Sequence, residues 1–380
     1  MSTDFEVVRE VLVPEMEPEA KPEPNRSTSG YPTGDLFTWH GAEIIFIPLM
    51  MIIGVIGNLL VFYIYHFRWR SNTVTLYKRM LAVLDLCNVI LALPPLLYIT
   101  VHPYEPSFYS LCAFTSFIAL GTAIASGGVL VIIAVDRFLK LCLLRKTGVG
   151  SLFSKQLFAI SVGIAIIINI PTMWIFGRDT VQFPHYRVTV SYCFIRTESK
   201  SDGLFLGWGA ILALVFISIT VALVYLYWCV VRKLRDLSDK HDELKRRPSV
   251  GVVKDAIVKQ KQSEIMRRSC VVFISVTVVF FATYLPYFIT LVLSMSQPNL
   301  VGRMSPQLKA LYDLAKLSPL FNAVSNPFIY SFTSESFRQE IIKLATCRTC
   351  LNKDFLRRRA FSFGSTNTIN KAQELSSLSS

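Results

Sequence analysis

The sequence predicts an all-α membrane protein: a seven-transmembrane helix bundle with a short amphipathic eighth helix and a β-hairpin in the second extracellular loop. Three observations carry this reading. The chain of 380 residues is 52% hydrophobic and only 17% charged, against about a quarter charged in soluble domains. Its apolar residues fall in seven long runs, each long enough to cross a bilayer at about 20 residues of 1.5 Å rise. Lys and Arg collect in alternate loops, as the positive-inside rule requires. That topology accounts for the net charge of +13 without a nucleic-acid partner. Seven crossings place the first terminus outside and the last inside.

Residues 1–42 read as a disordered outer tail, because the acidic, proline-rich stretch Glu15 to Pro24 buries too little apolar surface to fold. Asn25 heads a glycosylation sequon. No apolar core of a cleavable signal peptide lies near the start, so the first span is expected to act as an uncleaved signal anchor. The bundle is assigned to 43–332. The first span, about 43–67, contains Gly57-Asn58, and Arg68, Arg70, Lys78 and Arg79 put the following loop inside. The second, about 74–101, carries Asp85 at mid-membrane and Pro94-Pro95 towards its outer end. The third, about 109–141, ends in Asp136-Arg137-Phe138, with Lys140, Arg145, Lys146 and Lys155 inside. The fourth, about 153–176, has Pro171 near its outer end.

In the outer loop, 177–203, His185 to Cys193 alternates and is β-prone, so a short hairpin is expected there. This loop alone departs from the charge rule, with Arg178, Arg187, Arg196 and Lys200. The fifth span is about 204–231. A charged segment, 232–268, carries Ser249 behind Arg246-Arg247-Pro248, a basic phosphorylation site. The sixth span, about 264–294, contains Pro286, and the seventh is about 305–332. From 334 to 345, Phe337, Ile341, Ile342 and Leu344 oppose Arg338, Glu340 and Lys343, a helix suited to the inner membrane surface. Cys347 and Cys350 follow as palmitoylation sites, closing a segment at 333–350. The tail 351–380 is Ser-rich and expected to be disordered in the cytoplasm.

A charge at mid-bilayer costs at least about 2.5–3.5 kcal/mol on insertion scales, so Asp85 is read as functional. Asn322, Asn326 and Tyr330 are four apart and share a helix face. Pro327 breaks the ladder beside them, which suggests a hinge facing other helices. Ser126 lies on the third span's inner stripe with Cys112, Ser116, Ala119, Ala123, Ile133 and Arg137. A carboxylate with hydroxyl and amide oxygens suits a small hard cation; a protonated, hydrogen-bonded carboxyl is the plainer alternative. Asp136-Arg137 is an ion pair whose arginine can change partners, or a snorkelling cation.

The eight cysteines make no metal-type cluster with histidine, and only Cys112 and Cys193 fall where an outer-face disulfide is expected. His40, His66, His102, His185 and His241 all lie at span ends or in loops. Without paired carboxylates or a Ser/His set at membrane depth, the chain does not read as an enzyme. A secondary transporter is the competing class, but no repeat relates the two halves.

Gly57-Asn58, Leu81-Ala-Val-Leu-Asp85, Cys112 with Cys193, Asp136-Arg137-Phe138, Leu285-Pro286 and Asn326-Pro-Phe-Ile-Tyr330 are distributed over the spans and the outer loop. With them the chain resembles the rhodopsin-like (class A) G-protein-coupled receptors from Glu43 to Cys350. The resemblance implies a Cys112–Cys193 disulfide pinning the hairpin over a ligand pocket. It implies a sodium site at Asp85, Ser126, Asn322 and Asn326. Arg137 would contact the G protein when the sixth span swings out at Pro286, and Pro327 would let the two ends of the seventh span move differently. Tyr330, with Tyr225 on the fifth span, would stabilise that active form. A plasma-membrane receptor, with arrestin and kinases as partners at the cytoplasmic tail, follows from the same likeness.

Several positions depart from the family pattern. Phe138 replaces a tyrosine. Tyr284 stands where a toggle tryptophan is usual. The fourth span lacks its central tryptophan, Trp174 lying beyond Pro171, and the fifth has no proline. Met266 occupies the place of an acidic partner for Arg137, with Glu264 near it on another face, so a weaker inactive-state clamp is expected. Ala119 stands where amine receptors carry aspartate, and Leu320 where opsins attach retinal, which argues against both ligand classes. The pocket candidates are Phe117, Ala119, Leu120, Ala123, Tyr192, Tyr287, Phe288 and Lys316. Lys316 either meets an anionic ligand group or pairs internally with Asp313 or Glu43. The hairpin with Arg187, Arg196, Phe183 and Tyr186 favours a neuropeptide with an acidic or amidated end; a small non-amine ligand is the alternative.

Overall fold

The computed structural model describes residues 33–102, 107–145, 148–183, 188–196, 203–246, 253–296 and 300–346. Asn25, Tyr186, Arg187, Ser249, Cys347 and Cys350 lie outside the described residues. Met1–Ile329 form one compact unit and Tyr330–Ser380 a second.

Among the described residues of the first unit, six helices are long and apolar enough to cross a membrane. The first span is the helix Thr33–Tyr63, closed by a π-helical turn at Ile64–Arg68. It begins within the stretch assigned to the tail (1–42), because an established helix gains one hydrogen bond for each residue it adds. The second span starts at a capping box, in which Asn72 Oδ1 accepts from the Thr75 N–H and Thr75 Oγ1 from the Asn72 N–H. It runs Thr73–Cys87, widens into a π-helical turn at Asn88–Ala92 and continues as Leu93–Val101. Pro94 and Pro95 each lack an N–H and crowd the carbonyl four residues back; the widened turn sits where those carbonyls lie.

The third span, Phe108–Leu141, is a single α-helix and packs against the second, fourth, fifth and sixth spans and the hairpin. The fourth runs Ser151–Asn169 and resumes for one turn at Thr172–Ile175 after the Ile170-Pro171 break. At this break the indole N–H of Trp208 donates to the Ile168 carbonyl at 3.1 Å. Beside the same break, Asn169 Nδ2 donates to the Phe117 carbonyl at 2.5 Å. The hairpin pairs β1, Phe176–Phe183, antiparallel with β2, Val188–Ile195, with Arg178 opposite Cys193. It thus starts before His185, and its inner residues join Phe108, Phe205, Trp208 and Tyr287 in one apolar cluster.

The fifth and sixth spans are longer than their apolar cores: Gly203–Arg246 and Val253–Ser296. Much of the charged segment is therefore helix rather than loop, in keeping with its Lys, Arg, Glu, Gln and Leu content. The seventh is divided into Pro306–Lys316 and Pro319–Thr333. Pro319 cannot donate to Ala315, whose carbonyl instead takes the Ser318 N–H at 3.2 Å. Ser318 Oγ in turn donates to the Thr283 carbonyl of the sixth span at 2.7 Å.

In the second unit, Ser334 caps the helix Glu335–Ala345 by accepting from the Phe337 N–H. Phe337 is buried, its ring 6.2 Å from that of Tyr330 and nearly perpendicular to it. Arg338 donates to the carbonyls of Ser331 and Phe332 at 2.9 and 3.1 Å, covering acceptors that the preceding helix leaves open.

Gly57 is required by a close helix crossing: a Cβ there would lie 2.7 Å from Pro327 Cγ and 3.1 Å from its Cβ. Gly57→Val should destabilise the protein by about 1–3 kcal/mol, read as a lower unfolding temperature of the purified protein.

Candidate functional site

The polar residues gather at three levels of the first unit. At mid-membrane, Pro327 has no N–H for the carbonyl of Ala323, four residues earlier. Asn58 Nδ2 supplies that bond from the first span at 2.6 Å and also donates to the Gly54 carbonyl at 3.0 Å. One residue before the proline, Asn326 Nδ2 donates to Asp85 Oδ2 at 2.7 Å. Ser126 and Asn322 are buried as well. The amide oxygens of Asn58, Asn88 and Asn326 are buried with no hydrogen-bond partner among the described residues. This level therefore holds a carboxylate and several acceptors with few donors.

At the hairpin end, a mainly apolar cavity lies between the first, second, third, sixth and seventh spans, with the hairpin over it. Of the pocket candidates, Ala119, Leu120, Tyr192, Tyr287 and Lys316 line it, and so does Tyr284. Phe117, Ala123 and Phe288 do not. Phe117 lies on the side of the third span that meets Asn169. Ala123 is one turn deeper, and the Phe288 ring packs on Phe216 of the fifth span at 4.5 Å. The cavity is displaced towards the first and seventh spans, where His40, Glu43 and Ile47 contribute to its wall. Cys112 and Cys193 are joined in a disulfide that ties β2 to the third span.

Lys316 pairs internally. Its Nζ lies 2.8 Å from Asp313 Oδ1 and 3.9 Å from Glu43 Oε1, and it stands 4.1 Å from the centre of the Tyr192 ring. Asp313 Oδ2 also pairs with Lys309, and Glu43 Oε2 lies 2.8 Å from His40 Nδ1. Burial, with Asp179 opposite in the hairpin, pushes the Tyr192 phenol well above its usual range, so it remains a neutral donor. His40 and Lys309 escaped sequence reading because both sit at span ends, where a polar residue is unremarkable.

At the opposite end, Asp136 and Arg137 are buried. Asp136 Oδ2 accepts from Arg137 Nη2 at 2.6 Å and from Lys140 Nζ at 2.9 Å, while Oδ1 accepts from the Val149 N–H at 3.1 Å. Gly148 makes this approach possible: its φ is +59°, and a Cβ would fall 2.3 Å from Asp136 Oδ1. Arg137 Nη1 reaches Met266 Sδ at 3.3 Å and the guanidinium lies 5.7 Å from the Phe273 ring centre. A thioether is a weak acceptor, so across the third–sixth interface the arginine has no charged partner at residue 266.

Tyr225 does not face the bundle. It is 59% exposed, whereas Tyr227 is 8% exposed and its hydroxyl accepts from Thr277 Oγ1 at 3.5 Å. Two residues turn a helix by about 200°, so the inward fifth-span tyrosine is Tyr227. Tyr284 is buried against Phe280, ring centres 4.7 Å apart, as a residue linking cavity and core would be.

Among families of known proteins, the 7 transmembrane receptor (rhodopsin family) model matches residues 57–330. No curated protein matches the chain.

The buried charges at the hairpin end should be worth far more than those on the surface. Asp313→Ala leaves Lys309 and Lys316 without their shared partner and should cost about 3–5 kcal/mol. Lys343→Ala, at a half-exposed pair with Glu340, should change stability by less than about 1 kcal/mol. Thermal unfolding of the two variants tests the contrast.

Proposed function

The chain belongs to the rhodopsin family of seven-transmembrane receptors, and from that premise we propose that it binds an extracellular neuropeptide and activates a heterotrimeric G protein. The observation that carries the reading is the third span. It lines the cavity with Ser116, Ala119 and Leu120 at one end and bears Arg137 at the other. A ligand that shifts this helix, or Tyr284 across from it, acts on the element that holds the arginine.

In this reading the hairpin end is extracellular and the Arg137 end cytoplasmic. The ligand enters under the hairpin and rests on Tyr284 and Tyr287. Ala119 offers no carboxylate to an amine transmitter. Arg137 leaves Asp136 and Met266 when the sixth span moves out, and then meets the G protein. Tyr227 takes the fifth-span role in the active form. A sodium ion fits the middle level, where Asp85 and Asn326 with Ser126 and Asn322 would hold it; bound there, it supplies positive charge next to the carboxylate and favours the inactive form. Arrestin and kinases act at the cytoplasmic tail, and Ser249, Cys347 and Cys350 are sites for phosphate and palmitate.

Arg137→Ala should abolish ligand-driven G-protein activation while surface expression persists; unchanged activation would overturn the role given to the arginine. Met266→Glu places a carboxylate beside Nη1 and should lower ligand-free signalling by about fivefold. Nucleotide exchange on membranes from expressing cells measures both.

A further inference from the structure

We propose that the cavity recognises an uncharged primary carboxamide on its ligand, held by Glu43, and rejects the corresponding carboxylate. This rests on the receptor reading above and names the group its ligand presents.

Glu43 and Lys316 face the cavity from the first and seventh spans, with His40 beside Glu43. All three are buried. Lys316 is the cation an acidic ligand would seek, yet it is already engaged: Asp313 Oδ1 lies at 2.8 Å, and the Tyr192 ring covers it at 4.1 Å. Lys309 adds no free charge, since it pairs with the same Asp313. Glu43 is held unevenly. Its Oε2 lies 2.8 Å from His40 Nδ1, whereas among the described residues Oε1 meets Lys316 alone, at 3.9 Å, beyond hydrogen-bond reach. The wall therefore presents an acceptor oxygen with an unused lone pair and a cation whose charge Asp313 already offsets.

Such a wall selects by both charge and hydrogen bonding. A carboxylate brings acceptors only. It would face Glu43 as a like charge while competing with Asp313 for Lys316, and like-charge juxtaposition at a buried contact is strongly unfavourable. An ammonium would satisfy Glu43 but would stand beside Lys316. A carboxamide carries two N–H donors and one carbonyl. One N–H completes Glu43 Oε1, and the carbonyl can accept from the phenols of Tyr284 or Tyr287, which line the same cavity. Apart from Thr100, Thr115 and Ser116, the remaining lining is mostly apolar or aromatic, including Ile47, Leu96 and Phe176, so the group next to the amide is an apolar or aromatic side chain.

The test uses the purified full-length protein and two probes that differ only at this group: N-acetylphenylalaninamide and N-acetylphenylalanine, each at about 10 mM. The amide should raise the unfolding temperature by at least about 2 °C and the acid should not. In Glu43→Gln the stabilisation by the amide should fall and that by the acid should rise, because the like charge is gone. Equal or greater stabilisation of the unsubstituted protein by the acid, or no effect from either probe, overturns the proposal. So does an amide effect that Glu43→Gln leaves intact. If that variant does not fold, the comparison of the two probes on the unsubstituted protein decides. The readout does not pass through a G protein, so absent nucleotide exchange would count against the receptor reading and leave this result standing.

Discussion

The bond from Asn58 to the Ala323 carbonyl is the contact on which the middle of the bundle depends. Inside a bilayer no water is at hand for an open carbonyl, and each one left open costs several kcal/mol. Pro327 opens one by lacking an N–H, and the first span closes it at 2.6 Å. That reach needs the helices to touch, which Gly57 allows by presenting no Cβ to the proline ring. With the seventh span so placed, Asn326 meets Asp85 of the second. Proline, glycine and two asparagines thus form one arrangement in which each residue makes room or need for the next. Trp208 answers the break in the fourth span in the same manner, from the fifth.

Charge is handled differently at the two ends. Near the hairpin, Lys309, Asp313, Lys316 and Glu43 share partners across the first and seventh spans, and Tyr192 lays its ring over the central lysine. Removing one member strands others, so the group holds those spans in a fixed relation. At the Arg137 end, one carboxylate oxygen serves both Arg137 and Lys140, and Met266 offers only a thioether. The first arrangement resists change; the second binds its arginine lightly on the side of the sixth span.

The spans and the paired motif residues were legible because each follows from a local rule: an apolar run of bilayer length, a proline next to an amide, an arginine at a helix end. What was not legible depended on helix phase and on partners far apart in the chain. Tyr225 and Tyr227 are both plausible aromatics from sequence; without a proline to set the phase of the fifth span, only the packed helix shows which turns inward. Phe117 and Phe288 failed as pocket residues for the same reason. The ends of the fifth and sixth helices were misjudged because apolarity marks where the membrane stops, while helix propensity continues through Lys, Arg and Glu. Lys316 had two open readings because whether a charge serves a ligand or its own fold depends on which neighbours arrive: Asp313 is three residues away on the same helix, but Tyr192 comes from the hairpin and Glu43 from the first span.

Met266 gives the arrangement at the Arg137 end its direction. An acidic residue there would hold Arg137 by a charge-assisted bond, roughly twice as strong as a neutral one. The thioether gives less, and the Phe273 ring at 5.7 Å adds only a loose cation–π contact. Asp136 remains the strong partner, but it travels with Arg137 on the same helix and does not tie that helix to the sixth. Separating the two spans therefore breaks no strong bond to the arginine at residue 266. Packing across this interface includes the apolar contacts of Cys270, Val230 and Leu141. A helix held by packing moves when a small shift at its other end changes how it fits, and the sixth span carries Tyr284 and Tyr287 into the cavity at that other end.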